Sequence, residues 1–276
     1  MQLNKNKFEM ISHKYKKSIS CRDSLESFSD LPFSSMFDFY SAGDNLISPS
    51  VSVKDLGILV DNKLSWDEHI FSLCKHGKRL VAWILNVFYA RDKLTMTTLF
   101  NSLVRCKLEY CCQIWDPSTI QQIDAIEQLQ RSFTRRIIGM NELNYWDKLK
   151  KLNIFSLQRR REKLIIVYIW KIKNHLVPND IEFRFVSNDR RSCNLAHVKS
   201  MPDVGGRLLT LYESGFQIRA AKLWNKIPIK LTEVKNLETF KRKLNEHLAL
   251  YPDKPPVRGY YHPHNNSLLQ YQNIKL

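Results

Sequence analysis

Apolar residues recur at three- and four-residue steps along most of the chain, a spacing that predicts a succession of amphipathic helices. The first starts near Ser65, with Trp66, Ile70, Leu73, Leu80, Ile84 and Phe88 on one stripe. Ser65 followed by Glu68 reads as a capping box, in which each side chain satisfies a free amide of the first turn. A second helix begins at Asp92 and carries Leu99, Leu103 and Val104 towards Tyr110. Asp116-Pro117 stops it, because proline disfavours a helical residue before it. A third opens on Ser118 and Gln121, another capping box, and lines up Ile123, Ile126, Leu129, Phe133 and Ile137, with Gly139 as C-cap. After a short segment from Asn141 to Phe155, a further helix buries Leu157, Leu164, Ile165, Tyr168 and Ile172. GFQIRAAKLWNKIP predicts a short helix with Phe216, Ala220, Leu223 and Trp224 on one side. Leu237 to Leu250, with Phe240, Leu244 and Leu248, predicts the last.

The helical spacing is missing from two regions. Near the start, KFEMIS at Lys7 to Ser12 is strand-like and Ser18 to Ser52 is serine-rich loop. Val51 to Val60 then alternates as a strand broken at Gly57, with a turn at Asp61-Asn62. Further on, EFRFVS, CNLAHVK and GRLLTLYES read as short strands around Gly205-Gly206. The fold class that follows is mainly α: a helical bundle with a small β portion at the N-terminus and short strands near 181–214. The expected division is 1–62 for the β portion and loops, 63–178 for a helical domain and 179–250 for a C-terminal domain. The proline-containing segment 251–276 holds few core candidates and is expected to be loose.

Charge changes the picture. The 276 residues hold 43 Lys and Arg against 27 Asp and Glu, a formal net charge of +16. Such self-repulsion calls for a polyanion: nucleic acid, an anionic membrane or an acidic protein. The cations crowd the middle of the chain, at Arg131, Arg135, Arg136, Lys148, Lys150, Lys151, Arg159, Arg160, Arg161, Lys163, Lys171 and Lys173. On a wheel at about 100° per residue, Arg131 and Arg135 point away from their apolar stripe and Arg136 sits at its border. Arg159 and Lys163 lie opposite the stripe of the next helix. Arg161 falls on the apolar side, so it must snorkel outward or pair with a carboxylate. The bland counterpart is a set of solvated lysine faces. The six tryptophans fall mostly on apolar stripes as core anchors; Trp146, beside Lys148 and Lys150, is balanced between core and base stacking.

Candidate chemistry is sparse. Eight glycines leave no phosphate loop or dinucleotide fingerprint. Cys21, Cys74, Cys106, Cys111, Cys112 and Cys193 contain no CxxC pair and no zinc spacing. They read as reduced thiols of an intracellular protein, nuclear or cytoplasmic. Asp55 and Asp61 are turn and strand-end residues before they are metal ligands, and His262-Pro-His264 lacks a third ligand. No Gly-x-Ser-x-Gly turn supports a nucleophile, and no catalytic residue is nominated. Leu164 to Trp170, the longest aliphatic run, falls far short of the roughly 20 residues that cross a bilayer, so no membrane partner is expected.

Several segments together resemble the reverse transcriptase of non-LTR, LINE-type retrotransposons, in particular the jockey-like group. MQLNKNKFEMIS is similar to the stretch after that family's polymerase active site. VSVKDLGILVDNKLSWDEHI resembles the strand and turn at the primer-gripping edge of the palm, leading into the thumb. LVRCKLEYCCQIWDPS, IDAIEQLQRSFTRRIIGM and LNIFSLQRRREKLIIVYIWKI resemble consecutive thumb and post-thumb helices. FQIRAAKLWNKIP and LETFKRKLNEHL resemble the terminal block. The matches fall in family order over nearly the whole chain.

The resemblance implies an RNA-directed DNA polymerase whose aromatic-Ala-Asp-Asp turn holds two metal ions. No Asp-Asp pair occurs in this sequence. The expectation is therefore a chain without its own catalytic centre and with no cofactor, magnesium being expected only for a full-length polymerase. By match of position, Lys7, Lys54, Arg131, Arg135, Arg136, Arg159 and Arg160 are its nucleic-acid contacts. The partners implied are RNA, DNA or their hybrid, together with a missing polymerase portion. The alternatives are a helical protein–protein interaction module and a non-functional remnant of a mobile element.

Overall fold

The computed structural model describes residues 10–11, 40–42, 45–47, 49–117, 119–179, 183, 185–188, 191–195, 215–257 and 266–270. The structure is mainly α-helical with small two-stranded sheets. It divides into two compact units, Met1–Ser72 and Leu73–Leu276, with the division inside the first helix, α1 (Asp67–Val87).

In the first unit β1 (Met10–Ile11) pairs in parallel with β4 (Pro49–Ser50), and β2 (Tyr40–Ala42) pairs antiparallel with β3 (Asn45–Ile47). The alternating run after Val51 is two strands rather than one. β5 (Ser52–Asp55) and β6 (Ile58–Asp61) form a hairpin with Lys54 opposite Leu59. Leu56 and Gly57 turn the corner at φ 44° and 92°. Two successive left-handed residues match the right-handed twist of the flanking strands. Asp61 then organises the approach to α1. Its carboxylate accepts from the amides of Lys63 (2.8 Å), Ser65 (3.0 Å) and Trp66 (3.0 Å) and from Ser65 Oγ (3.1 Å). Burial works against its charge, yet these bonds prevail and hold its pKa below the usual carboxylate range. Asp61 thus does the work that the sequence assigns to a Ser65–Glu68 box.

In the second unit, α2 (Lys93–Leu99) is capped by Asp92, which accepts from Thr95 N at 2.9 Å. It runs on through a π-helical stretch, Phe100–Arg105, into α3 (Cys106–Glu109). Cys111, at φ 47°, reverses the chain into α4 (Cys112–Trp115). α5 (Ile120–Thr134) opens with a complete capping box at Thr119 and Gln122, one residue later than Ser118 and Gln121. Ser118 lies outside the described residues. The whole stripe Ile123, Ile126, Leu129, Phe133 and Ile137 is buried. Gly77 of α1 meets Leu129 so closely that a Cβ there would lie 2.8 Å from Leu129 Cδ1. α5 ends at Thr134, and Gly139 (φ 74°) closes the following turn instead of capping the helix.

A further helix, α6 (Tyr145–Leu152), occupies the segment between Asn141 and Phe155. α7 (Leu157–Lys173) is the axis of the unit. Ile165, Ile166, Val167, Ile169, Trp170 and Ile172 are all buried, while Leu164, Tyr168 and Lys171, a turn apart, stay partly exposed, so only a narrow strip of this half of the helix faces outward. Around it pack α8 (Phe216–Asn225), α9 (Ile229–Thr232) and α10 (Leu237–Ala249), which bury Leu223, Trp224, Leu231, Phe240, Leu244 and Leu248. Trp170 stacks on Phe240 with centroids 5.3 Å apart. β7 (Phe185–Asn188) pairs antiparallel with β8 (Arg191–Leu195), which overlap the end of EFRFVS and the start of CNLAHVK; residues 196–199 and GRLLTLYES lie outside the described residues.

Candidate nucleic-acid interface

Three consecutive arginines, Arg159 to Arg161, stand at the start of α7, and the structure turns them inward. Ser156 caps the helix, accepting from Arg159 N at 3.0 Å. Its own amide and hydroxyl each donate to Asp253 at 2.7 Å. Arg159 is 0% exposed. Its guanidinium donates to the carbonyls of Pro252 (3.1 Å) and Asn266 (3.3 Å) and lies 3.8 Å from Glu162. Glu162 in turn accepts from Ser267 Oγ (2.6 Å) and Leu268 N (3.1 Å). The wheel puts Arg159 towards solvent because it cannot see the segment after Pro252, which returns to cover that face. Residues 252–257 and 266–270, expected to be loose, are bonded to α7 through these groups.

The neighbouring arginines are committed as well. Arg160 grips Glu109 with two donors, Nε to Oε1 and Nη2 to Oε2 at 3.0 Å. Arg161, 1% exposed, donates to Asp116 Oδ1 at 2.6 Å, while Arg219 holds Oδ2 at 3.2 Å. This is the carboxylate pairing that its place on the apolar side demands. Burial and then Asp116 push the Cys112 thiol beside this cluster up to about 12. Arg131, partly exposed, pairs with Asp124 at 3.2 Å. A guanidinium without exposed surface cannot meet a phosphate while its helix stays packed, so Arg159 is removed from the contact set. Arg160 and Arg131 reach a phosphate only by surrendering a carboxylate.

Behind this network sits Glu127, 0% exposed. It accepts from Tyr145 OH (2.8 Å) and from Gln158 N (2.7 Å). Burial raises its pKa to about 7, against the opposing pull of Arg161 and these two donors. The folded chain thus binds a proton at Glu127 that the unfolded chain has already lost above about 4.5. Stability therefore falls as pH rises from about 4.5 to 7 and levels off beyond, by on the order of 1 kcal/mol per pH unit. Glu127→Gln is expected to flatten that slope relative to the parent chain, as read from urea midpoints at pH 5 and 7.

The cations left facing solvent are elsewhere. Arg135 and Arg136, just past α5, are exposed, and no carboxylate among the described residues pairs with either. Three bonds draw this turn against its neighbours. Ile138 N donates to Arg91 O (2.9 Å), Lys151 Nζ to Gly139 O (3.1 Å), and Lys93 Nζ to Lys151 O (2.9 Å). Lys148 packs beside Arg135; burial, then that guanidinium, lowers its pKa. Arg135, Arg136, Lys93 and Lys151 thus gather where the C-terminal end of α5, the start of α2 and the end of α6 meet. Lys93 is not among the residues the sequence nominates, because only the docking of the turn on α2 brings it to this place. Lys54 is exposed on its hairpin in the first unit, and Lys7 lies outside the described residues.

Among the described residues no three His, Cys, Asp or Glu side chains converge to hold a metal, so the donors present do not fit a two-metal site. No described helix is long and apolar enough to cross a membrane.

No family model matches the chain, and no solved structure matches it. It is similar to an uncharacterised protein of Caenorhabditis elegans, 25% identical over 138 residues, which is 49% of this chain and 68% of that protein. It is also similar to a probable RNA-directed DNA polymerase from transposon X-element of Drosophila melanogaster. That likeness is 28% identity over 94 residues, 32% of this chain and 10% of the polymerase. The chain is thus a distant relative of a retrotransposon polymerase, mainly helical, with exposed cations on the turn after α5.

Proposed function

We propose that the chain corresponds to the end of the palm, the thumb and the post-thumb region of a jockey-like non-LTR reverse transcriptase. In this reading it grips template and primer without making bonds. The observation that carries it is the exposed cluster of Arg135, Arg136, Lys93 and Lys151, a face suited to phosphates in a chain of net charge +16. Cations of this kind contact the backbone and leave the bases unread, so RNA, DNA and hybrid should bind alike. Partners would be nucleic acid and a polymerase portion carrying the metal-binding aspartates, and residence would be nuclear or cytoplasmic. No phosphoryl-transfer step is assigned to this chain.

Fluorescence anisotropy with a primed RNA template tests the reading. Each phosphate contact contributes a slope of about −0.9 in log affinity against log salt, so four contacts lose about a hundredfold between 50 and 200 mM. Affinity indifferent to salt, or absent at 50 mM, overturns it. The second reading, a protein–protein interaction module, draws on Tyr89, Leu94 and Ile138, exposed at 90%, 76% and 72%. A stable complex with a protein partner that survives charge reversal of the basic turn would favour it.

A further inference from the structure

The other side of α6 borders a cleft of about 590 Å³, within the roughly 300–1,000 Å³ typical of small-molecule sites. Trp146, Lys150, Phe155, Tyr251 and Lys254 line it, with Asp253 at one edge. The indole is fixed edge-on: Trp146 Nε1 donates to Pro255 O at 3.1 Å. Lys254 Nζ stands 5.5 Å from the centre of its ring, so an ammonium and a π face are presented together. Asp253, the one carboxylate in the lining, is turned to other work. Its oxygens accept from Ser156 N, Ser156 Oγ and Asn266 Nδ2.

An apolar, aromatic floor between lysines suits a flat ring that carries an anion. We infer that this cleft holds one unpaired nucleotide of a nucleic-acid strand. The base takes the place of the Lys254 ammonium on the indole, and that ammonium and Lys150 move onto the flanking phosphates. This deepens the proposed nucleic-acid reading and rests on it. α6 joins the two sites, because Lys151 belongs to the basic turn while Trp146 and Lys150 line the cleft. A strand leaving a duplex on the basic turn thus meets a place to stack its first unpaired base. Stacking tolerates any base, since every base has a π face.

The test uses the full chain and three probes of equal charge. They are a hairpin duplex with a short single-stranded overhang, the same overhang made abasic, and a blunt duplex. The overhang is expected to bind about tenfold more tightly than its abasic counterpart. Trp146→Leu should erase that difference while leaving blunt-duplex affinity unchanged. Lys254→Gln, at a partly exposed position, should reduce the difference and guards against a Trp146 variant that fails to fold. Equal binding of all three probes overturns the cleft assignment and leaves the basic turn standing. Failure of all three to bind at 50 mM salt instead removes the nucleic-acid reading. An acidic aromatic peptide that displaces the overhang no less readily than a free overhang strand does would assign the cleft to protein and overturn the inference.

Discussion

Asp116→Asn is expected to destabilise the second unit by about 3–5 kcal/mol, a large share of a domain's total stability. Asp116 is the shared anion of two guanidiniums, Arg161 at 2.6 Å and Arg219 at 3.2 Å, whose side chains are 2% and 15% exposed. Asparagine keeps the shape and removes the charge. Two cations would then stay in a poorly hydrated interior without their counter-ion, and it is that uncompensated burial which is costly. Removing charge from both sides behaves differently. Arg161→Met and Arg219→Met combined with Asp116→Leu eliminate all three desolvation penalties and should recover most of the loss. Urea midpoints with unchanged slope provide the readout. A single variant as stable as the parent would mean that water reaches the pair and that the network is decoration.

The second large effect concerns binding. Reversing Arg135, Arg136 and Lys151 to glutamate should weaken duplex affinity by at least a hundredfold at 50 mM salt and flatten the salt dependence. The same charge change at the exposed Lys230, Lys235 and Arg242 serves as control. If net charge alone draws nucleic acid to the chain, both triples weaken it equally. If the turn after α5 is the site, the control retains most of the affinity. Thermal midpoints of the two triples should stay close to the parent, because none of these side chains is buried.

Much of the fold was legible where one face of a helix meets the core. The stripes of α5 and α10 were readable to the residue, and Leu223 and Trp224 fell on the buried side of α8 as their spacing requires. α7 was harder. Its wheel assumes a broad solvent face, whereas Leu164 to Trp170 is apolar at nearly every position, the mark of a helix covered over most of its circumference. Once α7 is central, the arginines before that run have nowhere to go but onto carboxylates. Those partners, Glu109 and Asp116, lie about fifty residues away in sequence, a distance at which spacing carries no information. Asp253 and Asn266 were hidden for the same reason, since a proline-containing segment looks loose until its hydrogen-bond partners are known. The hairpin at Leu56-Gly57 was within reach: a two-residue turn ending in glycine was read as a break in one strand.

The basic turn keeps its cations available because no carboxylate among the described residues pairs with Arg135 or Arg136. Arg135 and Arg136 follow the last residue of α5 and precede the buried Ile137, yet both face solvent, Arg135 where the wheel puts it and Arg136 from the border of the stripe. The candidate surface therefore moves from α7 to the junction of α5, α2 and α6. The α7 arginines hold the scaffold that presents it.

Amide hydrogen exchange of the chain with and without a primed RNA template tests that placement most directly. Added protection is expected in the peptides covering 134–151 and 91–94, with little change across 157–163, whose amides are already inside the packed unit. Protection concentrated on 157–163, with the turn after Thr134 untouched, would contradict it.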